Sequence, residues 1–410
     1  MTQTDIQNQM RAYLVENLPA YLALLRQMVE INSFTANAAG VNQLGELTAV
    51  AFQSLGFTAV FVPSANPSFG RHLVLHKPGK SAKQIGLVSH LDTVFPPDEE
   101  IRHNFAWRDE GARIYGPGTV DIKGGTVLIY MMLDALRAIS PDIYDDTTWT
   151  ILLDASEETD GADFGQLCID HLKNALACLI FEGGYLEKDR AKVVVARKGM
   201  AVYHLETEGR ASHAGSAHEQ GANAIVQMAD VIQRVAAMTD YGRNLTFNVG
   251  VVHGGTVTNR VPHQATAGVE MRAFSPEVYD EGVVGMLALN GLADVASADG
   301  AFACRVTVRQ TRKTQPWPRN SATDNLLATW QAAGESLGIQ VEPEERGGLS
   351  DGNYFWHLVP SLDGLGVSGG NSHCSEQSAD GSKEQEYCQP ASFVPKALLN
   401  VTAVLSLLQQ

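Results

Sequence analysis

Cysteine is scarce in this chain, bases are outnumbered by acids, and long apolar runs are missing; each shortage excludes something. Five cysteines in 410 residues, an odd count with no CxxC spacing, argue against a disulfide framework. A reducing, cytoplasmic location is the matching expectation. Thirty lysines and arginines face 46 aspartates and glutamates, and the formal net charge of −16 speaks against nucleic acid or an anionic membrane as partner. No uninterrupted apolar segment approaches the ~20 residues that span a bilayer. The first residues, Met1 to Asp5, lack a basic region followed by an apolar stretch, so no signal peptide is expected. No internal repeat or low-complexity stretch is visible, and the GxxxxGK[ST] phosphate loop is absent.

What is present describes a well-packed globular protein. Hydrophobic residues make up 44% and charged residues 19% of a chain too long for one ordinary core, so two domains are expected. Residues 4–31 read as helical, with Pro19 dividing or bending the run. A second helix fits Leu44 to Leu55 and stops at Gly56. Strand-like runs follow at 59–62, 72–76 and 85–89. The third of these leads into His90-Leu91-Asp92, two polar groups on one side of an extended segment. Asp92 is suitably spaced to hold the second ring nitrogen of a metal-binding His90. A surface histidine beside a turn aspartate is the plain alternative.

Three further apolar or glycine-rich stretches end on acids. Gly116 to Gly125 is a loop entering the apolar run Val127–Leu136, with Asp121 at the junction. N-capping is the simple reading of Asp121, yet Gly124 and Gly125 weaken a helix start by roughly 1 kcal/mol each, which implies a close approach there. Ile151-Leu152-Leu153-Asp154 leads to Glu157-Glu158, and the strand-like Ala175–Phe181 to Glu182. Acids at the carboxyl ends of buried strands lie where open α/β sheets hold their ligands. From about 199 to 314 the pattern becomes alternating strands with two helices, in the order βαββαβ of a ferredoxin-like fold. This segment reads as a domain inserted into an α/β first domain, 1–198 and 315–410. Past it come a helix at 324–337, a loop at 347–352 with Ser350 or Asp351 free to cap a short helix, a strand at 365–368, and a last helix at 393–408.

His90, Asp121, Glu157, Glu158, Glu182 and His373 form a mixed histidine–carboxylate set, which suits zinc, cobalt or manganese. At this point the sequence resembles the M20 family of metallopeptidases, in particular its glutamate carboxypeptidase branch. The resemblance rests on Ser89-His90-Leu91-Asp92-Thr93, Gly116–Gly125, Glu157-Glu158, Phe181-Glu182, Ala211-Ser212-His213-Ala214-Gly215, Thr258-Asn259-Arg260-Val261-Pro262 and Gly369-Gly370 with His373, which occur in family order. It implies a zinc-exopeptidase-like α/β/α catalytic domain with an inserted lid and dimerisation domain, and a homodimer. It implies two zinc ions per subunit, with cobalt or manganese as alternatives. Asp121 would bridge them, His90 and Glu182 completing one site and Glu158 and His373 the other. Asp92 would stand behind His90, and Glu157 would be the general base that activates a metal-bound water, whose pKa coordination can lower to about 7.

His213, Asn259 and Arg272 match substrate-binding positions, Arg272 through a free carboxylate. The loop around Gly348 is expected to set specificity. The implied activity is hydrolysis of an amide bond in a small peptide or N-acyl amino acid, first of all release of a C-terminal amino acid such as glutamate. An N-acyl-amino-acid deacylase or dipeptidase is the alternative, and an inactive binding or scaffold relative the remote one. Two departures from the family stand out: Thr159 to Asp163 replaces the usual glycine-serine pair, and Cys374 directly follows His373. His171, His204, His218, His253, His263 and His357 read as structural or surface residues.

Overall fold

A computed structural model describes residues 2–159 and 161–409. The chain forms two compact units: Met1–Val195 with Arg319–Glu345 and Ser350–Gln410, and Ala196–Pro318 with Arg346–Leu349. Residues 346–349, which carry Gly347 and Gly348, thus pack with the second unit.

The first unit is built on a six-stranded sheet in the order Thr58–Pro63, Arg71–Lys77, Thr148–Asp154, Gln84–His90, Ala177–Ile180, Ser361–Leu362. The first two strands are antiparallel to each other, Arg71–Lys77 is antiparallel to Thr148–Asp154, and the last four strands run parallel. Parallel strands bury both faces, which is why they read as continuous apolar runs. Ile85, Leu87, Ile151, Leu153 and Leu179 enter one core with the helices Gln3–Val29, Lys123–Ile139, Ser321–Leu337 and Phe393–Leu408. The other face is covered by Ala162–Leu172, so closely that a Cβ on Gly86 would lie 2.6 Å from Leu172 Cδ2. The parallel register sets His90 beside Asp154, and Val88 beside Leu152 and Ile180. His90, the turn after Asp154, and Glu182 therefore emerge along one edge of the sheet.

Several sequence expectations are corrected. Of the two expectations at Pro19, division is excluded, because helix Gln3–Val29 continues through it. The second helix begins at Ala38, because the Asn37 side chain caps it by accepting from Gly40 N. Residues 365–368 are not a strand. Gly364 turns the chain through a left-handed conformation (φ +68°), and Leu365 and Gly366 donate to Ile180 O and Glu182 O outside any regular ladder. Neither Ser350 nor Asp351 caps helix Gly352–Phe355; Ser350 Oγ donates to Asp363 instead, at 2.8 Å. Pro390–Leu408 is long and apolar enough by composition to cross a membrane, but 78% of it is buried inside the protein.

The second unit is a four-stranded antiparallel sheet ordered Thr246–Gly254, Gln264–Ala273, Gly199–Glu208, Arg305–Thr314. With helices Ala224–Ala237 and Pro276–Leu287 it has the βαββαβ order. Ala265, Ala267, Val269, Met271 and Ala273 alternate inward, the period-2 signature of a sheet with one covered face. Thr246–Gly254 is an edge strand and leaves Val251 and Val252 exposed.

Candidate metal centre

Six of the residues singled out by the sequence sit at the sheet edge of the first unit. The His90 ring is buried and fixed by Nδ1, which lies 2.9 Å from Asp92 O and 3.4 Å from Asp92 Oδ1. Its Nε2 therefore points outward, 3.2 Å from Asp121 Oδ1 and 3.7 Å from Glu182 Oε1. Holding one ring nitrogen fixes the tautomer and aims the other, as a ligating histidine requires.

Asp121 is placed by the backbone at both sides. Val120 N and Asp121 N both donate to Glu386 Oε1, at 3.0 and 3.2 Å, and Asp121 makes no helix cap: Lys123–Ile139 starts without a side-chain cap bond. The close approach inferred from the paired glycines is real. A Cβ on Gly125 would lie 2.1 Å from Phe181 O, and one on Gly124 2.3 Å from Thr119 O. Only glycine lets the first helical turn pack against the strand end that carries Glu182.

The second oxygen of Asp121, Oδ2, lies 3.3 Å from His373 Nε2, which is also 3.2 Å from Glu158 Oε2. One carboxylate thus has one oxygen facing His90 and Glu182 and the other facing His373 and Glu158. Ligand atoms of His90, Asp121 and Glu158 all lie within 4.8 Å of one another. Glu158 Oε1 is buried with no hydrogen-bond partner, an orphan acceptor costly to leave beside other acids. A divalent cation would satisfy it, and the donor set of imidazole nitrogens and carboxylate oxygens fits such an ion.

Asp92 ties the turn of the two glutamates in place. It accepts from Thr35 Oγ1 at 2.7 Å, from Glu157 N at 3.2 Å and from Glu158 N at 3.3 Å. Burial raises the Glu157 pKa well above the usual carboxylate range. His90 opposes this, while Glu182, Glu158 and Asp92 add to it. Burial and the neighbouring Asp121 likewise lift Glu386 to about 8. His373 is raised to about 11 by Asp121 and Glu158. Asp121 moves the other way, because His373 and His90 outweigh its burial. These shifts describe too many buried acids around two rings, the imbalance that bound cations relieve.

Sequence reasoning missed two contributors. Glu386 sits in the polar run Ser382–Glu386, which reads as surface, and no local pattern marks it. His72 is buried with Nδ1 3.0 Å from Asp154 Oδ1 and Nε2 3.1 Å from Asp163 Oδ2. Burial disfavours the charged ring, but the two carboxylates raise its pKa. It fastens the end of Thr148–Asp154 to the start of the following helix. Of the unusual Thr159–Asp163 segment, Asp160 lies outside the described residues. Cys374 takes part in the His373 turn, where Cys374 N donates to Asn371 O at 2.9 Å. His373 and Asn371 both have left-handed backbone there.

The remaining expected residues belong to the second unit. His213 accepts from Gly215 N and Ser216 N at its Nδ1, both at 3.1 Å, so the neutral ring carries its proton on Nε2 and can donate outward. His213 and Arg260 face each other in an antiparallel bridge, and Ala214 N donates to Asn259 O. The Arg272 guanidinium is engaged: Nε and Nη2 meet Glu270 at 2.6 and 3.3 Å, and Nη1 donates to Gly347 O at 2.9 Å. Glu270 and Arg272 are two apart on one strand and so share a face, a signal present in the sequence. Gly348 O accepts from Arg197 Nη1 at 3.3 Å.

A mostly parallel sheet with a histidine–carboxylate cluster at its carboxyl edge, interrupted in sequence by a ferredoxin-like unit, is an architecture the chain shares with solved peptidase structures. Residues 195–288 match the M20 peptidase dimerisation domain. Carboxypeptidase G2 of Pseudomonas sp. (strain RS-16) is 29% identical over 360 residues, 87% of this chain and 83% of that protein. Acetylornithine deacetylase of Klebsiella pneumoniae (strain 342) is 28% identical over 263 residues, 60% of this chain and 65% of that protein. The crystal structure of aminopeptidase PepT from Bacillus cereus superposes with a TM-score of 0.74 at 20% identity, covering 96% of this chain and 99% of that one. Residues 195–288 thus carry a peptidase dimerisation domain of the M20 kind, and the chain is a homologue of carboxypeptidase G2 over most of its length.

Proposed function

We propose that this protein is a carboxypeptidase holding two metal ions, most simply zinc, that releases a C-terminal amino acid such as glutamate from a small blocked substrate. The observation that carries the reading is the Asp121 carboxylate, shared between His90 on one side and His373 on the other. His90, Glu182 and Asp121 Oδ1 would hold one ion, and His373, Glu158 and Asp121 Oδ2 the other. When bound, such ions polarise the scissile carbonyl and make a neighbouring water a stronger acid.

The chain's own residues do the rest. Glu157 takes a proton from the attacking water and passes it to the leaving amine nitrogen as the C–N bond breaks. Its burial, which raises its pKa with Glu182, Glu158 and Asp92 adding to the rise, supports this, since a carboxylate of raised pKa is a stronger proton acceptor than a free one. Asp92 keeps His90 and the Glu157–Glu158 turn in register. His213, with its proton on Nε2, donates to the carbonyl oxygen, while Asn259, Arg272 and Gly348 contact the rest of the substrate. The match of residues 195–288 to a dimerisation domain supports a homodimer through the inserted domain.

An N-acyl-amino-acid deacylase is the second reading, favoured by the similarity to acetylornithine deacetylase. Hydrolysis assays of the metal-loaded protein on N-blocked glutamates, N-acetyl amino acids and unblocked dipeptides separate the two. Release of glutamate from blocked substrates is the expected result. Turnover of acetylated amino acids alone would replace it with the deacylase reading.

A further inference from the structure

Arg260 is a charged side chain that the proposed chemistry leaves unused. It stands opposite His213 in an antiparallel bridge, where Val261 N donates to Ser212 O at 2.9 Å. Residues paired in this way carry their side chains on one face, with Cβ atoms about 4.5–5.5 Å apart. The two Cβ atoms thus leave the pair on the same face. Two hollows of the second unit, of about 280 and 480 Å³, are both lined by Arg260, by Gly254 to Thr256 and by Pro262. His253 and His263 line the smaller one and His218 the larger. Among the described residues neither hollow is lined by an aspartate or glutamate. Gln264, also in the smaller hollow, donates to Glu206 at 2.9 Å.

In a chain of net charge −16 the smaller hollow is a concave place lined by one arginine and two imidazoles, and its lining includes no acid. The contrast with Arg272 sharpens the point, because that guanidinium already has Glu270 as its carboxylate partner. We infer that Arg260, with His253 and His263, is an anion receptor that takes a carboxylate of a small dicarboxylic ligand. A guanidinium fork matches a carboxylate with two parallel hydrogen bonds, and ring N–H groups can add a third. The inference rests on the proposed amide hydrolysis only in taking the carboxylate to be the substrate's own; a free dicarboxylate acting as effector shares the same chemistry.

Glutarate serves as the probe, titrated calorimetrically into the full-length wild-type protein and its Arg260→Ala and Arg260→Lys variants. Arg260 is exposed, so the substitutions spare the core. Binding is expected to weaken by at least about tenfold in Arg260→Ala and by less in Arg260→Lys, which keeps charge but loses the fork. Equal affinity in wild type and Arg260→Ala, or no binding to wild type at millimolar glutarate, would overturn the receptor. Kinetics then identify the source. For a substrate carboxylate, Arg260→Ala raises KM for an N-blocked glutamate by about tenfold, leaving kcat and the KM for N-blocked alanine within about twofold. For a free effector, glutarate binding falls while both KM values stay unchanged. Should wild type hydrolyse none of these amides, the proposed reaction fails while the calorimetric result still decides the receptor.

Discussion

In the first unit His90, Glu158 and Glu182 follow the ends of buried strands while Asp121 and His373 lie on loops, and exposure runs from 1% for the His90 side chain to 53% for His373. In the second unit His213, Asn259 and Arg260 stand exposed on two loops that pair with each other. The difference follows from what each task requires. Holding ions at fixed distances needs side chains locked by packing and by a shell of hydrogen bonds, which strand ends supply. Recognising part of a small molecule tolerates movable loops on a rigid scaffold. Substitutions in the first unit should therefore act on the metal set, on kcat and on stability, and those at the recognition residues of the second on KM, with His213, the proposed donor to the reacting carbonyl, acting on kcat as well.

The strongest way to test that division is Asp121→Ala. It removes both arms of the shared carboxylate, and activity should fall by more than about 10⁴-fold with neither ion retained at stoichiometric level, measured by turnover and by metal analysis. Retention of both ions would mean that Asp121 does not bridge. His72→Leu comes next, because it strands Asp154 without its buried partner. Unfolding stability should drop by about 3–5 kcal/mol in denaturant titration. The effect has a sign in pH: the folded His72 pKa is raised, so its contribution is full below the unfolded value of about 6.5 and fades as pH rises through the folded one. A wild-type–variant stability difference that grows with rising pH would contradict the assignment. Asp92→Asn is milder, since it loosens His90 without removing a ligand. Metal affinity should fall by about 10–100-fold in competition with a chelator, with the fold intact.

How much of this was legible in the sequence varies with the kind of signal. Buried parallel strands announce themselves as apolar runs, and an acid after such a run, as with Glu158 and Glu182, stands out against it. The ferredoxin-like order was legible because its strands alternate, as Ala265 to Ala273 does. The strand expected at 365–368 failed for the converse reason. Its residues are apolar because they are buried, but left-handed Gly364 breaks the ladder. Glu386 and His72 escaped notice since their partners, the Val120–Asp121 amides and Asp154 with Asp163, are remote in sequence and no periodicity links them. Arg272 was matched to a carboxylate in the substrate, and the structure shows one two residues away in Glu270.

The proposed chemistry needs one division of labour, in which Glu158 is fixed as a ligand and its neighbour Glu157 stays free to move protons. Metal content and kcat of Glu157→Gln, measured on the same preparation, test it directly. Two ions per chain with kcat reduced by at least about 10² is the predicted result. Wild-type turnover would show that Glu157 is not the base, and loss of an ion would show that it is a ligand.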